Sequence, residues 1–277
     1  MISKTILYLF FVMFVSVGLI GVGKFNQYAD QLLEAEKDSK PIPVISIIFT
    51  NLDMNSAYNI QKDYIIKKSK NDKIAGFKAE LTSKKTQEKF NIHSPVSGVL
   101  FSSGKQDSPY LIDSSKFQQL MIDTELGYIF GKPITSKLNN VSELKEYIKA
   151  VMPVIELPDF GFGDANKLKA IDIVAANASS RFFILGKPIE LDKINPDNVK
   201  VALNLNVEIA NQGRGSDLKD GQWNTLLWLV NNVIDQGWEI EPGQVLITGA
   251  LGNIVKAKKG QYIATFSGLG QISFRIQ

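Results

Sequence analysis

Apolar positions recur at helical spacing near the start of this chain and at strand spacing towards its end. After Lys24 a polar helical pattern runs to Glu36, and Lys40-Pro41-Ile42-Pro43 then marks an extended break, because a residue before proline is pushed out of the helical region. Ala57, Ile60, Tyr64 and Ile65 lie three and four residues apart and predict a second helix over Met54 to Lys68, with Asn55 or Ser56 as its cap. From Ala75 the pattern changes to short strands and turns, with Gly76 to Leu81 and Gly98 to Phe101 as strands. A helix is expected from Ser142, with Leu144, Ile148 and Val151 on one face and Pro153 as its end. Alternation from Val199 to Ile209 predicts one long strand with a buried face. Gln222 to Gln236 reads as a helix stopped by Gly237, its Trp223, Leu226, Leu227, Val230, Val233 and Ile234 forming a core stripe. Pro242-Gly243 turns the chain into Gln244 to Thr248. Tyr262, Ala264 and Phe266, then Ile272, Phe274 and Ile276, mark two strands around Ser267-Gly268-Leu269-Gly270. Leading helices followed by short strands predict an α+β fold with a curled mixed sheet.

One stretch fits neither period. Thr5 to Gly23 is 19 residues without a charge, flanked by Lys4 and Lys24. At about 1.5 Å per residue it spans roughly 28 Å, close to the thickness of a bilayer core. Residues 1–23 are therefore read as a signal peptide or membrane anchor that places the chain outside the cytoplasm, with a cytoplasmic protein as the alternative. The near-symmetrical lysines set no orientation. A helical segment over 24–74 and a catalytic domain over 75–277 follow. The 277 residues, 44% hydrophobic and 21% charged, suffice for a sizeable core without staples. The absence of cysteine excludes disulfides, thiolate zinc sites and cysteine nucleophiles. His93 is the single histidine, and no Gly-x-Ser-x-Gly elbow accompanies it, so Ser-His-Asp hydrolysis is disfavoured. A net charge of +3, with lysines scattered among acids, argues against a nucleic-acid surface, and Lys67-Lys68-Ser69-Lys70 reads as a solvated turn.

The candidate chemistry lies among strand-forming residues. Asp123 and Glu125, in Ile122-Asp123-Thr124-Glu125-Leu126, share a strand face because they are two residues apart. A third acid, Glu156 in Val154-Ile155-Glu156-Leu157, comes from a nearby segment. Like charges held side by side repel unless a cation or proton neutralises them, which points to a hard-metal site. Solvated acids on an exposed sheet face are the alternative.

The segments Ala57-Tyr58-Asn59-Ile60-Gln61, Gly76-Phe77-Lys78-Ala79-Glu80-Leu81-Thr82-Ser83 and Pro95-Val96-Ser97-Gly98-Val99-Leu100-Phe101 come first. Asp123-x-Glu125, Glu156, Asn177-Ala178-Ser179, Gly213-Arg214-Gly215-Ser216 and Leu246-Ile247-Thr248-Gly249-Ala250-Leu251-Gly252 follow in order. Over roughly residues 25 to 277 this order resembles the 2-keto-4-pentenoate hydratases of the fumarylacetoacetate hydrolase superfamily, whose related branch decarboxylates 4-oxalocrotonate. The resemblance implies a fumarylacetoacetate hydrolase C-terminal-like fold, a curled mixed β-sheet roll with flanking helices. It implies Mg²⁺ or Mn²⁺ held by Asp123, Glu125 and Glu156, with Asp123 where the family usually has Glu, and a 2-keto acid meeting the cation through its carboxylate and 2-oxo oxygen.

Lys78 matches the family's lysine, implied to move a proton or fix the substrate carboxylate; as a base it would need its pKa lowered by burial and the metal's field. Ser179, Arg214 and Thr248, with backbone amides around Gly249, are implied to bind substrate. His93 stands where the family tends to have an acid two residues before the proline, a candidate for activating water. Two further departures are Ala175-Ala176-Asn177-Ala178 for Ala-Asp-Asn-Ala, and Asp220-Gly221-Gln222-Trp223-Asn224 for Gly-His-Pro-Leu-Asn. The implied activity is a metal-dependent hydratase acting on a 2-keto acid such as 2-hydroxypenta-2,4-dienoate. The alternatives are a 4-oxalocrotonate-type decarboxylase and a catalytically silent exported carboxylate-binding protein. Homo-oligomers are the superfamily's habit, no nucleic acid is expected, and contact with a membrane would be through the N-terminal segment alone.

Overall fold

The computed structural model describes residues 25–49 and 51–277; the uncharged run 5–23, and with it the leader expectation, lies outside the described residues. Among the described residues no helix is long and apolar enough to cross a membrane. Helical residues 25–38 (α1) and Ile45–Ile48 (α2) lead into α3, Met54–Lys68, at the bounds its spacing predicts. Its cap is Asp53 rather than Asn55 or Ser56: the Asp53 carboxylate accepts the Ser56 amide at 2.8 Å. Lys67 and Lys68 end this helix instead of forming a solvated turn, and Lys68 donates to Glu36.

The chain continues through β1 (Ile74–Glu80), α4 (Lys84–Phe90), β2 (Val96–Phe101), β3 (Lys105–Asp107), β4 (Tyr110–Ile112) and β5 (Met121–Phe130). Then come α5 (Val141–Lys145), β6 (Ile148–Leu157), α6 (Ala170–Ala175), β7 (Phe182–Leu185), β8 (Lys200–Leu205) and β9 (Glu208–Arg214). The last elements are α7 (Gly221–Asp235), β10 (Val245–Ile247), β11 (Val255–Lys256), β12 (Gly260–Phe266) and β13 (Gly270–Ile276). An eight-stranded mixed sheet runs β2-β1-β10-β5-β6-β7-β3 with β11 against β5, and a five-stranded sheet runs β4-β13-β12-β8-β9. This is the expected α+β architecture with a curled mixed sheet and helices.

Two elements differ from expectation. The helix begun at Ser142 stops at Lys145, and Ile148–Leu157 is a strand in which Pro153 lies opposite Leu126. Ala150 to Leu157 are all buried, so both faces of β6 are covered and no alternation marks it as a strand. The long strand over Val199 to Ile209 is a hairpin: Leu205 pairs with Glu208 across Asn206, whose φ of 54° lies in the left-handed region that Asn tolerates. Val207, placed by its alternation on a buried face, is 96% exposed at the hairpin tip.

Register decides which side chains meet. Gly98, Lys78, Ile247 and Gly127 are successive cross-strand partners, and Asp123, Glu156 and Phe183 form another such row. Ile122, Leu126 and Tyr128 of β5 point to the main core, which is continuous with Tyr28, Leu32, Ala57 and Ile60 of the helical segment. The opposite face carries a smaller apolar cluster of Leu100, Met152, Val154, Phe183, Val245 and Ile247. Parity sets the acids on that second face, against a dry floor.

Candidate active site

Asp123 and Glu125 are two residues apart on β5, and Glu156 lies directly across from Asp123 on β6. One oxygen from each approaches the others within 4.8 Å, and all three side chains are buried, with Asp123 only 2% exposed. Burial, then the neighbouring Glu80 and Glu156, holds Asp123 well above the ordinary carboxylate range; burial, then Glu156 and Asp123, does the same to Glu125. Asp123 Oδ1, Glu125 Oε1 and Glu156 Oε2 have no hydrogen-bond partner. Buried carboxylate oxygens do not normally stay orphaned, so three of them in one place fit a hard divalent cation. The outer oxygens of two of these acids are already fixed: Gly249 N–H donates to Glu125 Oε2 at 2.6 Å, and Lys78 Nζ donates to Glu156 Oε1 at 2.5 Å. The amide of Gly249 thus holds a carboxylate, but one belonging to the chain itself.

Lys78 is fully buried and uses all three of its donors, on Glu156, on Glu80 Oε2 at 2.9 Å and on the Ala178 carbonyl at 3.0 Å. That carbonyl arrives through a tight left-handed run at Asn177, Ala178 and Ser179, with φ of 53°, 50° and 57°. Asn177 pins the run to β2, accepting Val99 N–H at 2.7 Å and donating to Val99 C=O at 2.9 Å. Gly98 makes room for it, since a Cβ there would lie 2.7 Å from the Asn177 carbonyl oxygen. Gly98→Ala is therefore expected to cost about 1–3 kcal/mol through overpacking, read from urea denaturation; an unchanged midpoint would contradict this close approach. Burial alone would lower the Lys78 pKa, but Glu156, Glu80 and Glu125 outweigh it and hold it above the ordinary value. Without a cation Lys78 is therefore an ammonium, and the lowering that a role as base would require is not supplied by burial alone.

Glu80 escaped the sequence analysis, although Lys78-x-Glu80 has the same same-face spacing as Asp123-x-Glu125. Glu80 and Asp123 together line a cavity of about 260 Å³. Thr248 is buried, but its hydroxyl donates to Gln222 Oε1 at 2.6 Å, and Tyr128 donates to the same oxygen at 3.0 Å. Gln222 thus ties α7 to β5 and to the segment after β10. Ser179 is buried with its hydroxyl unpartnered, and it lines a separate cavity of about 50 Å³ with Arg181. The remaining two expected site residues lie elsewhere. His93 is exposed on the turn before β2, outside the cavity lined by Asp123, and its carbonyl accepts from Lys219 at 3.2 Å. Arg214 is exposed at the end of β9 in a groove with Lys200 and Asp217.

No protein-family model matches the chain. The 2-keto-4-pentenoate hydratase 1 of Dechloromonas aromatica (strain RCB) is 26% identical over 245 residues, spanning 87% of this chain and 93% of that protein. The 2-oxo-hept-4-ene-1,7-dioate hydratase of Escherichia coli is 25% identical over 255 residues, spanning 89% of this chain and 96% of that protein. Among solved structures, 4-oxalocrotonate decarboxylase from Pseudomonas putida G7, complexed with magnesium and adipate, superposes with a TM-score of 0.87 at 24% identity, covering 92% of this chain and 98% of that one. These relatives, hydratases and a decarboxylase, match over nearly their whole length, and the last of them shares the fold. Asp123, Glu125 and Glu156 fall on one sheet face, and over nearly its whole length the chain is similar to 2-keto-4-pentenoate hydratases and has the fold of 4-oxalocrotonate decarboxylase.

Proposed function

We propose that the protein is a Mg²⁺- or Mn²⁺-dependent hydratase acting on a 2-keto acid such as 2-hydroxypenta-2,4-dienoate. The observation that carries this reading is the set of three orphaned carboxylate oxygens beside the Lys78 ammonium. Asp123, Glu125 and Glu156 would hold the divalent cation, which would supply Lewis-acid polarisation of the substrate's 2-oxo group. The Lys78 ammonium adds positive charge beside these carboxylates, in a site whose burial strengthens its attraction for an anionic substrate. Its link to Glu80, which reaches the cavity, gives the proton a path between the buried site and the substrate chain. In the reaction the 2-hydroxyl proton moves to C5, water oxygen bonds to C4 and one water proton goes to C3, leaving a 4-hydroxy-2-keto acid. The apolar floor of Met152, Val154 and Ile247 keeps bulk water from the back of the site.

The test is the loss of ultraviolet absorbance of 2-hydroxypenta-2,4-dienoate on adding the purified protein with Mg²⁺, with Mn²⁺ and with EDTA. Metal-dependent loss that EDTA abolishes supports the hydratase reading. No loss with either metal, together with metal-dependent CO₂ release from 4-oxalocrotonate, would replace it with a decarboxylase. Silence in every arm would leave a binding protein.

A further inference from the structure

We propose that Lys85 and Lys89 make this site bind 2-keto acids with a second, distal carboxylate more tightly than monocarboxylic ones such as 2-hydroxypenta-2,4-dienoate, an inference that rests on the 2-keto acid reading above. The cavity of about 260 Å³ that reaches Asp123 and Glu80 is also lined by Lys85, Thr86 and Lys89 from α4 and by Asn253. Its volume lies below the roughly 300–1,000 Å³ of drug-sized pockets and suits a small acid. One part of its wall is therefore acidic and takes a cation, while another part presents two ammonium groups.

The two lysines stand out from their neighbours on the helix. Lys84 faces Glu88 at 3.8 Å, whereas neither Lys85 nor Lys89 forms an ion pair among the described residues. They are four residues apart, so they share a face of the helix. The helix itself is held in place: Ser83 accepts the Thr86 amide at 3.1 Å, and buried Gln87 accepts from Lys219 at 2.9 Å. Glu80, the acid nearest α4 in sequence, is engaged by Lys78. A 2-keto acid with a single carboxylate spends it at the metal centre and leaves an apolar tail facing two unpaired ammonium groups. A substrate with a carboxylate at its far end matches both parts of the cavity. The same charges would draw dianions towards the cavity mouth.

Two unreactive probes isolate this difference. 2-Oxoadipate and 2-oxohexanoate have the same length and the same 2-keto acid head, and they differ in a distal carboxylate against a methyl group. With Mg²⁺-loaded full-length protein at low salt, calorimetry is expected to show 2-oxoadipate binding about tenfold tighter, the scale of two exposed ion pairs, with the ratio shrinking as salt is raised. In the Lys85→Ala/Lys89→Ala double variant the affinity for 2-oxoadipate falls to that for 2-oxohexanoate, while Lys84→Ala keeps the preference. Both lysines are exposed, so the double variant keeps its core, which a thermal melt verifies. Equal affinity in the parent protein, or a preference that survives the double substitution, overturns the selectivity alone. If neither probe binds the Mg²⁺-loaded protein, the 2-keto acid reading fails and this inference fails with it.

Discussion

Glu125→Gln is expected to yield a protein that is more stable than the parent in EDTA and nearly insensitive to Mg²⁺. In the metal-free fold Glu125 is buried beside Asp123 and Glu156, and burial followed by these two neighbours holds its carboxyl well above the ordinary 4.5. A raised carboxylate pKa means that the folded state binds more protons than the unfolded chain above the unfolded value. That stability is complete below the unfolded pKa and is lost as pH rises through the folded one. The melting temperature of the parent in EDTA should therefore fall as pH rises above the ordinary carboxylate range, and fall less in Glu125→Gln, whose amide oxygen can still accept the Gly249 N–H. Added Mg²⁺ reverses the order. At a concentration of 100 times its dissociation constant it contributes about 2.7 kcal/mol to the parent, or roughly 5–10 °C for a chain of this size. The variant, with one of three ligands lost, keeps little of that shift and loses its metal-dependent turnover. Melts at several pH values, with and without Mg²⁺, check every part. A variant that is less stable in EDTA, or one that keeps the full Mg²⁺ response, would remove the basis for the metal centre.

Much of that centre was legible in the chain. The two-residue spacing of Asp123 and Glu125 fixes their shared face wherever a strand forms, and β5 formed where its residue types predicted. Lys78 was legible by motif but not by state, because its protonation is set by acids on β1, β5 and β6 that only the fold brings together. Glu80 carries the same spacing signal as Asp123 and Glu125, but an acid two residues from a lysine does not by itself distinguish a buried pair from a solvated one. The strand bearing Glu156 was obscured by its complete burial, which erases alternation. Asn206 shows the converse: a two-residue turn kept the alternation of two strands in step, so the pattern ran on where the chain reversed. His93 and Arg214 followed motif positions, and a motif does not say on which side of a turn a side chain emerges.

Lys78→Met is expected to destabilise the metal-free protein by roughly 3–5 kcal/mol, the cost of removing one partner from a buried ion pair. Lys78 is the cation among Glu80, Asp123, Glu125 and Glu156, and its loss leaves Glu156 without its hydrogen-bond donor in a site closed to water. The remaining acids must then take up protons to stay buried, so the deficit grows with pH. Mg²⁺ is expected to restore part of the stability, because a cation between the carboxylates replaces the lost charge, but it does not replace the N–H that the Ala178 carbonyl accepts from Lys78. Lys78→Arg should not rescue the fold. The three acceptors converge on one nitrogen, and a planar guanidinium needs a wider site than the gap left by Gly98 and the Asn177 run. Urea denaturation with and without Mg²⁺ measures these effects, and a Lys78→Met midpoint close to that of the parent would show that the ammonium is not what holds the acids together. A loss of turnover of about 10²-fold or more in the Mg²⁺-restored variant would separate the two roles. In that outcome the cation substitutes for the lysine in folding the site, while the proton path through Lys78 and Glu80 is lost.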